Sequence, residues 1–431
     1  MPRDQVQVIG QSPASPEAAW AVAGDFCGRW HPAIATMREE RDDRGSLIRA
    51  FTVQGEDTLY REQLTWRSDS DRTLGYTHLQ GIAGVDRYDA RISIAASEAG
   101  GSTIEWSATV EAPDPARLAA ICEGTKAIFE AGIAALSAAA QRAGKPGAAR
   151  AMPAPVSLEN ITVDTAPRLA LTVTPPKDGP LCLFLHGIGG ARGNWDAQLG
   201  AAGNVMRAAA LDLRGYGGSA LDPEQSTVDD YCADILRVRE TLGGGKLVLV
   251  GLSYGSWIAT SFAMRHPDML AGLVLSGGCT GMSEAGRAER EAFRTSRQVP
   301  LDAGQTPADF APAVVEVLAG PHASAQVRAQ LLASMKAIPS ATYRDALSCF
   351  TNPPERFDFA RLSMPVLMMT GEYDRLASPA EIRGVAGRIL AESPRPDVRY
   401  ETIYDSGHVC NVEQPEAYNR VLLDFLERLP R

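Results

Sequence analysis

The chain has 431 residues, of which 45% are hydrophobic and 22% are charged, a composition typical of folded globular proteins. It excludes intrinsic disorder and a coiled coil as the main state, and at roughly 150 residues per domain the length predicts two or three domains. The formal net charge of −10 disfavours a nucleic-acid-binding protein, because contacts with phosphates need clustered Lys and Arg.

The seven cysteines are widely spaced and form no CxxC pair, so neither a zinc site nor a disulfide framework is expected. The opening residues, MPRDQVQVIG, lack the apolar stretch of a signal peptide, and we expect a cytoplasmic protein. Residues 247–264 carry no charge, as in a membrane span. They hold a Gly-Leu-Ser-Tyr-Gly turn at their middle, which favours a buried strand running into a buried helix and no membrane partner.

The first 145 residues read as an α+β unit. A strand at 3–11 precedes a helix with Ser15 as N-cap and Pro16 as its first residue. Alternating apolar residues and short turns then predict five strands and a long closing helix capped by Asp114. The five strands are 46–54, 58–67, 73–79, 86–96 and 102–111.

The closing helix has one apolar face, made of Leu118, Ile121, Ile128, Phe129, Gly132 and Leu136. A bent sheet around one long helix would enclose an apolar cavity. This half resembles the helix-grip family of START, Bet v 1 and polyketide cyclase proteins through Phe26, Trp30, His31, Pro32, Ile34, Glu105, Trp106 and that helix. The resemblance implies binding of a hydrophobic ligand, cyclised or dehydrated by some members. Trp30 and His31 are candidate cavity residues, although an aromatic pair there is more often core.

A stretch rich in Gly, Ala and Pro predicts a linker at 146–157. Beyond it, from 158 to 431, near-continuous apolar strands alternate with helices, which indicates a parallel sheet covered on both faces. The predicted strands are 181–185, 206–213, 246–250, 272–276, 365–370 and 398–404. Residues 283–350 interrupt the alternation and predict a helical cap, with helices at 284–297, 307–318 and 323–336.

Gly251-Leu252-Ser253-Tyr254-Gly255 fits the pattern G-x-S-x-G, with a strand before it and a helix after it. The glycines permit a tight turn that lifts the serine clear of the strand end, so Ser253 is the candidate nucleophile. A serine hydroxyl needs a base that is oriented by a third group.

Downstream, Asp374 follows a strand and His408 lies in a Ser-Gly-His turn, which gives the chain order Ser, acid, His. In this hypothesis Ser253 attacks, His408 carries the proton and Asp374 orients the imidazole. Asp405 is an alternative acid, although its position at a strand end favours a turn residue.

An oxyanion hole needs two backbone donors. The Tyr254 N–H at the helix start is one candidate, and the Ile188 N–H in the loop His186-Gly187-Ile188 is the other. We expect His186 to shape that loop, Asp212 and Arg214 to form a structural turn, and Cys279 to be a buried small residue.

Residues 158–431 resemble the α/β-hydrolase family, and within it the capped enol-lactone hydrolases and related esterases. The resemblance rests on HGIGG (186–190), DLRGYGGS (212–219), GLSYGS (251–256), GEYDRLASP (371–379) and SGH (406–408). Haloalkane dehalogenases and epoxide hydrolases of this family carry Asp where this chain has Ser253, which argues against both activities. No metal or dinucleotide motif is present, so no cofactor is expected.

The sequence therefore predicts a helix-grip domain followed by an α/β-hydrolase domain. The leading hypothesis is a serine hydrolase that cleaves an ester or lactone of a hydrophobic small molecule. Two alternatives stay open: C–C bond hydrolysis or a cofactor-free lyase or cyclase step on a polyketide-like β-diketone, and a hydrophobic-ligand binding protein whose hydrolase half is silent. Homo-oligomerisation stays open as well.

Overall fold

The computed structural model describes residues 2–142, 154, 156–354 and 356–430. These residues divide into two compact units, of which the first contains the N-terminal strands and helices with residues 397–400, and the second contains the rest. The predicted linker at 146–157 falls mostly outside the described ranges.

The first unit is an antiparallel sheet with two helices. Its elements are β1 (Arg3–Ser12), α1 (Pro16–Ala23), β2 (Ile34–Arg41), β3 (Leu47–Val53), β4 (Tyr60–Ser68), β5 (Thr73–Gln80), β6 (Arg87–Ala96), β7 (Ser102–Glu111) and α2 (Pro115–Arg142). The strand order is β2-β3-β4-β5-β6-β7-β1, with α2 packed against β1 and β7. This arrangement confirms the predicted α+β class.

Strand β2 was not predicted. It pairs with β3 alone, and none of its side chains is fully buried. Its sequence, IATMREER, lacks the apolar alternation of a half-buried strand because it forms an edge of this sheet. Six strands therefore separate the two helices in the described part of this unit, where the sequence predicts five.

Helix α2 buries a face that differs in part from the prediction. Ile128 is 49% exposed, whereas Phe129, Gly132 and Leu136 are buried as expected. Thr125 and Ile133 complete the buried face, which follows a spacing of three and four residues along the helix. Ile128 lies at the edge of that face, about 20° beyond Ile121 around the helix axis.

The second unit is a mixed sheet with helices between its strands. Its first half runs β8 (Glu159–Val163), β9 (Leu169–Val173), β10 (Leu181–Leu185), α3 (Asp196–Ala202), β11 (Ala208–Leu211), α4 (Val228–Thr241), β12 (Leu247–Leu252), α5 (Tyr254–Arg265) and β13 (Leu270–Ser276). The cap follows as α6 (Arg287–Asp302), α7 (Pro307–Leu318), α8 (Ala325–Lys336) and α9 (Ser340–Thr351). The chain then continues through β14 (Val366–Gly371), α10 (Pro379–Glu392), β15 (Val398–Ile403), α11 (Cys410–Glu413) and α12 (Pro415–Glu427).

The strand order of this sheet is β14-β13-β12-β10-β11-β9-β8. Strands β11, β10, β12, β13 and β14 are parallel, and every residue of β10, β12 and β14 is buried. Continuous burial on both faces is what apolar strands flanked by helices predict. The carboxyl ends of these strands meet at one edge, where α/β folds place their functional loops.

The uncharged run at 247–264 is divided between β12 and α5. Among the described residues, no helix combines the length and the hydropathy that crossing a bilayer requires.

Candidate active site

Ser253 occupies a strained turn between β12 and α5. Its φ of 55° and ψ of −114° are rare for a residue with a side chain, and such strain is typical of functional turns. The Ser253 N–H donates to the Ser276 carbonyl at 2.8 Å, and its carbonyl accepts from the Trp257 N–H at 3.1 Å. The backbone is thus held on both sides, while the side chain is only partly buried between two buried elements.

The two glycines of the motif are required by close backbone contacts. A Cβ at Gly251 would overlap the Gly255 backbone, and a Cβ at Gly255 would overlap the Leu185 carbonyl of β10. These positions admit only glycine, because helix α5 starts directly against the neighbouring strand.

His408 and Asp374 form a buried pair, with exposures of 3% and 5%. The His408 Nδ1 lies 2.9 Å from Asp374 Oδ2 and 3.0 Å from Oδ1. This nitrogen therefore carries the ring proton and donates a hydrogen bond to the carboxylate. Asp374 Oδ1 also accepts from the Leu376 and Ala377 N–H groups, at 2.8 and 2.9 Å. Burial acts to raise the pKa of Asp374, but His408 and these N–H groups together lower that pKa below its usual value.

The loop after β13 lies against both His408 and Ser253. A Cβ at Gly277 would lie 3.1 Å from the His408 ring, and a Cβ at Gly278 would lie 3.5 Å from the Ser253 Cα. The remaining ring nitrogen of His408, Nε2, is buried and has no hydrogen-bond partner among the described residues. This nitrogen is therefore the one free to accept a proton.

The His408 loop is also fixed to the cap, a contact that sequence reasoning missed. The His408 N–H donates to the Leu318 carbonyl at 2.8 Å. Glu413 accepts from the Gly407 N–H at 3.0 Å through one carboxylate oxygen and from the Gly320 N–H at 2.8 Å through the other. The only signal in the sequence is an acid five residues after His408, and its second partner could not be foreseen.

The predicted oxyanion donors belong to two segments that adjoin Ser253. Tyr254 is the first residue of α5, where a backbone N–H has no acceptor within the helix. A Cβ at Gly187, next to Ile188, would lie 3.4 Å from the Ser253 Cβ. The Tyr216 hydroxyl donates to the Ile188 carbonyl at 3.0 Å and so helps to fix the loop that contains Gly187 and Ile188.

His186 is completely buried beneath the same loop. Its Nε2 accepts from the Leu213 N–H at 3.1 Å, so its proton is on Nδ1, 2.8 Å from the Gly187 carbonyl. Burial lowers the pKa of His186 and keeps the ring neutral. This geometry suits a residue that shapes the loop.

Other candidates lie in structural positions. Asp405 is exposed in a left-handed turn, and its N–H donates to Glu372 at 3.0 Å. Asp212 accepts from the Arg192 and Gly218 N–H groups, and Arg214 pairs with Asp234 at 2.8 Å. Burial raises the pKa of Cys279 to about 12, which disfavours a thiolate.

His31, one of the candidate cavity residues, packs inside the first unit with 6% exposure. Its Nδ1 accepts from the Ala33 N–H at 3.1 Å, so Nε2 donates to the Ile128 carbonyl at 3.0 Å. The ring meets Trp106 edge-on, Trp106 stacks on Phe129 at 4.4 Å, and Trp30 is half-buried beside them. His31 and Trp106 thus pack closely against helix α2 at Gly132.

A buried ion pair lies in the same unit and was also missed. Arg49 and Glu62 face each other across β3 and β4 at 2.6 Å, each 7% exposed. The Arg49 guanidinium lies 4.6 Å from the ring centres of Phe26 and Tyr76. Only the strand register shows that these two charges meet.

Comparison with known proteins gives two family matches. The model of the alpha/beta hydrolase fold matches residues 180–415, which is more than half of the chain. The model described as polyketide cyclase / dehydrase and lipid transport matches residues 5–141, and identifies the first unit as a domain of that kind.

Individual relatives and solved structures each match about three fifths of the chain. Epoxide hydrolase 3 of Xenopus tropicalis is 26% identical over 288 residues, covering 61% of this chain and 76% of that protein. A thermophilic esterase from Thermogutta terrifontis is 26% identical with a TM-score of 0.55, over 63% of this chain and 99% of that one. The enol-lactonase from Burkholderia xenovorans LB400 is 20% identical with a TM-score of 0.50, over 61% and 97%, and shares the fold.

Proposed function

Because the chain belongs to the alpha/beta hydrolase fold family, we propose that it is a serine hydrolase that cleaves an ester or lactone of a hydrophobic small molecule through an acyl-enzyme. The observation that carries the proposal is the position of Ser253. It lies in a strained turn, and one loop, Gly277-Gly278, lies against both Ser253 and the buried His408–Asp374 pair.

The proposed reaction follows from these positions. The Ser253 Oγ attacks the substrate carbonyl while His408 Nε2 takes the hydroxyl proton, and the Asp374 carboxylate stabilises the imidazolium that forms. The Ile188 and Tyr254 N–H groups stabilise the oxyanion. His408 then gives its proton to the leaving alcohol, and a water molecule activated by the same ring cleaves the acyl-enzyme.

The direct test is intact-mass measurement after treatment with a fluorophosphonate. We expect one adduct on the wild-type protein and none on Ser253→Ala, together with turnover of p-nitrophenyl esters by the wild type alone. Ester turnover that survives in Ser253→Ala would refute the proposal. A folded wild type that forms no adduct would favour instead a binding protein with a silent hydrolase half.

The relatives support a hydrolase but differ in the bond they cleave. The esterase supports ester cleavage. The epoxide hydrolase is a relative by sequence, but Ser253 stands where members with that activity carry the nucleophilic Asp, so we do not extend epoxide opening to this chain.

A second candidate is C–C bond hydrolysis of a β-diketone. It is supported by the polyketide cyclase match at residues 5–141, which favours a polyketide-like ligand. The same Ser253 could serve both reactions. A panel of β-diketones, assayed beside esters and lactones of similar size, separates the two, and absence of diketone cleavage would contradict this candidate.

A further inference from the structure

The cap helix α6 carries a basic face on its half-buried side. Its half-buried positions include Arg290, Phe293, Arg294 and Arg297, which recur at intervals of three and four residues and so share one side of the helix. A concentration of arginine on an inner face is unusual in a chain whose net charge is −10.

This face is one aromatic layer away from the nucleophile turn. The Phe293 ring lies edge-on to Phe350 of α9 at 5.8 Å. Phe350 in turn lies 5.6 Å from Tyr254 and 5.5 Å from Trp257, both in the helix that begins after Ser253. Phe350 thus connects this face of α6 to the helix that begins directly after Ser253.

Arg297, like Arg290 on the same face, has no counter-charge among the described residues, whereas Arg294 has one. Its guanidinium lies 3.5 Å from the centre of the Phe293 ring, and one of its nitrogens donates to the Phe293 carbonyl at 3.2 Å. Among the described residues no carboxylate comes within ion-pair distance of it, whereas Arg294 pairs with Glu291 at 2.5 Å. The titratable group that faces it is the Tyr343 hydroxyl of α9.

A half-buried guanidinium without a counter-charge leaves a positive potential that an anion can neutralise. The planar guanidinium, held against an aromatic ring, leaves its remaining N–H groups for a bidentate acceptor, and a carboxylate has the matching geometry. We propose that Arg297 binds a carboxylate of the substrate, so that the substrate is an ester or lactone bearing a carboxylate away from the bond that is cleaved. Arg290, on the same face, adds to the positive potential. This inference rests on the serine hydrolase function proposed above.

The test compares two esters of equal acyl length, p-nitrophenyl pentanoate and mono-p-nitrophenyl glutarate, which differ by the terminal carboxylate. The measured quantity is the ratio of their kcat/KM values, because a general loss of activity cancels in it. We expect the wild type to prefer the glutarate ester, and Arg297→Gln to reduce the ratio about tenfold or more, as for loss of a charged hydrogen bond.

Arg287→Gln is the matched control, since Arg287 is exposed on the same helix and should leave the ratio unchanged. Arg297→Lys, which keeps the charge without the fork, should restore the ratio in part. A ratio that is the same in the wild type and Arg297→Gln, or that falls equally in Arg287→Gln, would overturn the proposal.

A second readout does not depend on turnover. Free glutarate should raise the Tm of the wild type and of Ser253→Ala but not that of Arg297→Gln. If no ester is cleaved and no phosphonate adduct forms, the proposed function fails, and this shift alone decides whether the anion site exists. Absence of a glutarate shift in the wild type would refute the site.

Discussion

The two ring nitrogens of His408 have different surroundings, and that difference defines what each can do. Nδ1 is bound to Asp374 at 2.9 Å, while Nε2 has no partner among the described residues. The Asp374 carboxylate also accepts hydrogen bonds from two backbone N–H groups, so its position is fixed before substrate binds. In the proposed mechanism, the acid therefore determines which nitrogen of His408 acts as the base.

Replacing this acid by its amide should be severe and specific. In Asp374→Asn the amide oxygen stays with the Leu376 and Ala377 N–H groups, so the NH₂ group faces His408 and favours the wrong tautomer. We expect kcat to fall by about 10³- to 10⁴-fold, as in other triads. The assay is hydrolysis of a p-nitrophenyl ester, with circular dichroism to check folding. Asp405→Asn is the control, because Asp405 is exposed. A comparable loss in Asp405→Asn would mean that the acid is misassigned.

At this scale, residues that belong to a local motif could be predicted and residues that act across the fold could not. Ser253 follows from G-x-S-x-G between a strand and a helix, and Asp374 and His408 follow from their order after strands. Glu413 has no such motif, since its second partner, Gly320, lies 93 residues away in the chain. Arg49 and Glu62 likewise become a pair only through the register of β3 and β4.

At the scale of elements, the same distinction separates buried strands from edges. The apolar strands β10, β12 and β14 were predicted because burial on both faces demands continuous apolar residues. The charged edge strand β2 was missed, and so was α9, the fourth helix of the cap. Helix α9 carries Phe350 and Tyr343, whose partners on α6 are apparent only once the helices are packed.

Glu413 connects the cap to the His408 loop through two hydrogen bonds, and this leads to a prediction about it. In Glu413→Gln one of the two oxygens becomes an NH₂ group facing a backbone N–H, so one of the two tethers is lost. We expect kcat to fall about tenfold with a smaller change in KM, because loss of a hydrogen bond to a charged group costs about 1.5–3 kcal/mol and displaces the base.

Glu416→Gln, an exposed change at the start of α12, is the matched control. Two readouts separate positioning from stability. One is the comparison of the change in kcat with the change in KM, and the other is the rate of fluorophosphonate labelling. Both are measured well below the Tm of either variant. Unchanged kcat and labelling in Glu413→Gln would show that the tether does not position His408.

At the scale of the whole molecule, the two units share one electrostatic feature, a buried neutral histidine. His31 in the first unit and His186 in the second use both ring nitrogens in hydrogen bonds that require the neutral form. Burial lowers the pKa of both rings from the usual 6.5. Protonation of a buried histidine should therefore destabilise each unit in acid, although the two folds are unrelated.

The sign of the pH effect follows from proton binding. A histidine whose pKa is lower in the folded state binds fewer protons when folded, so its contribution to stability is present above pH 6.5 and is lost as the pH falls toward the folded pKa. We expect the Tm, measured by scanning calorimetry, to be lower at about pH 5.5 than at about pH 7.5.

His31→Gln, whose amide cannot be protonated in this range, should lower the Tm at the higher pH but reduce the difference between the Tm values at the two pH values. His322→Gln, an exposed change, should keep the wild-type difference. If His31→Gln retains the full wild-type difference, protonation of His31 does not govern the acid sensitivity of the first unit.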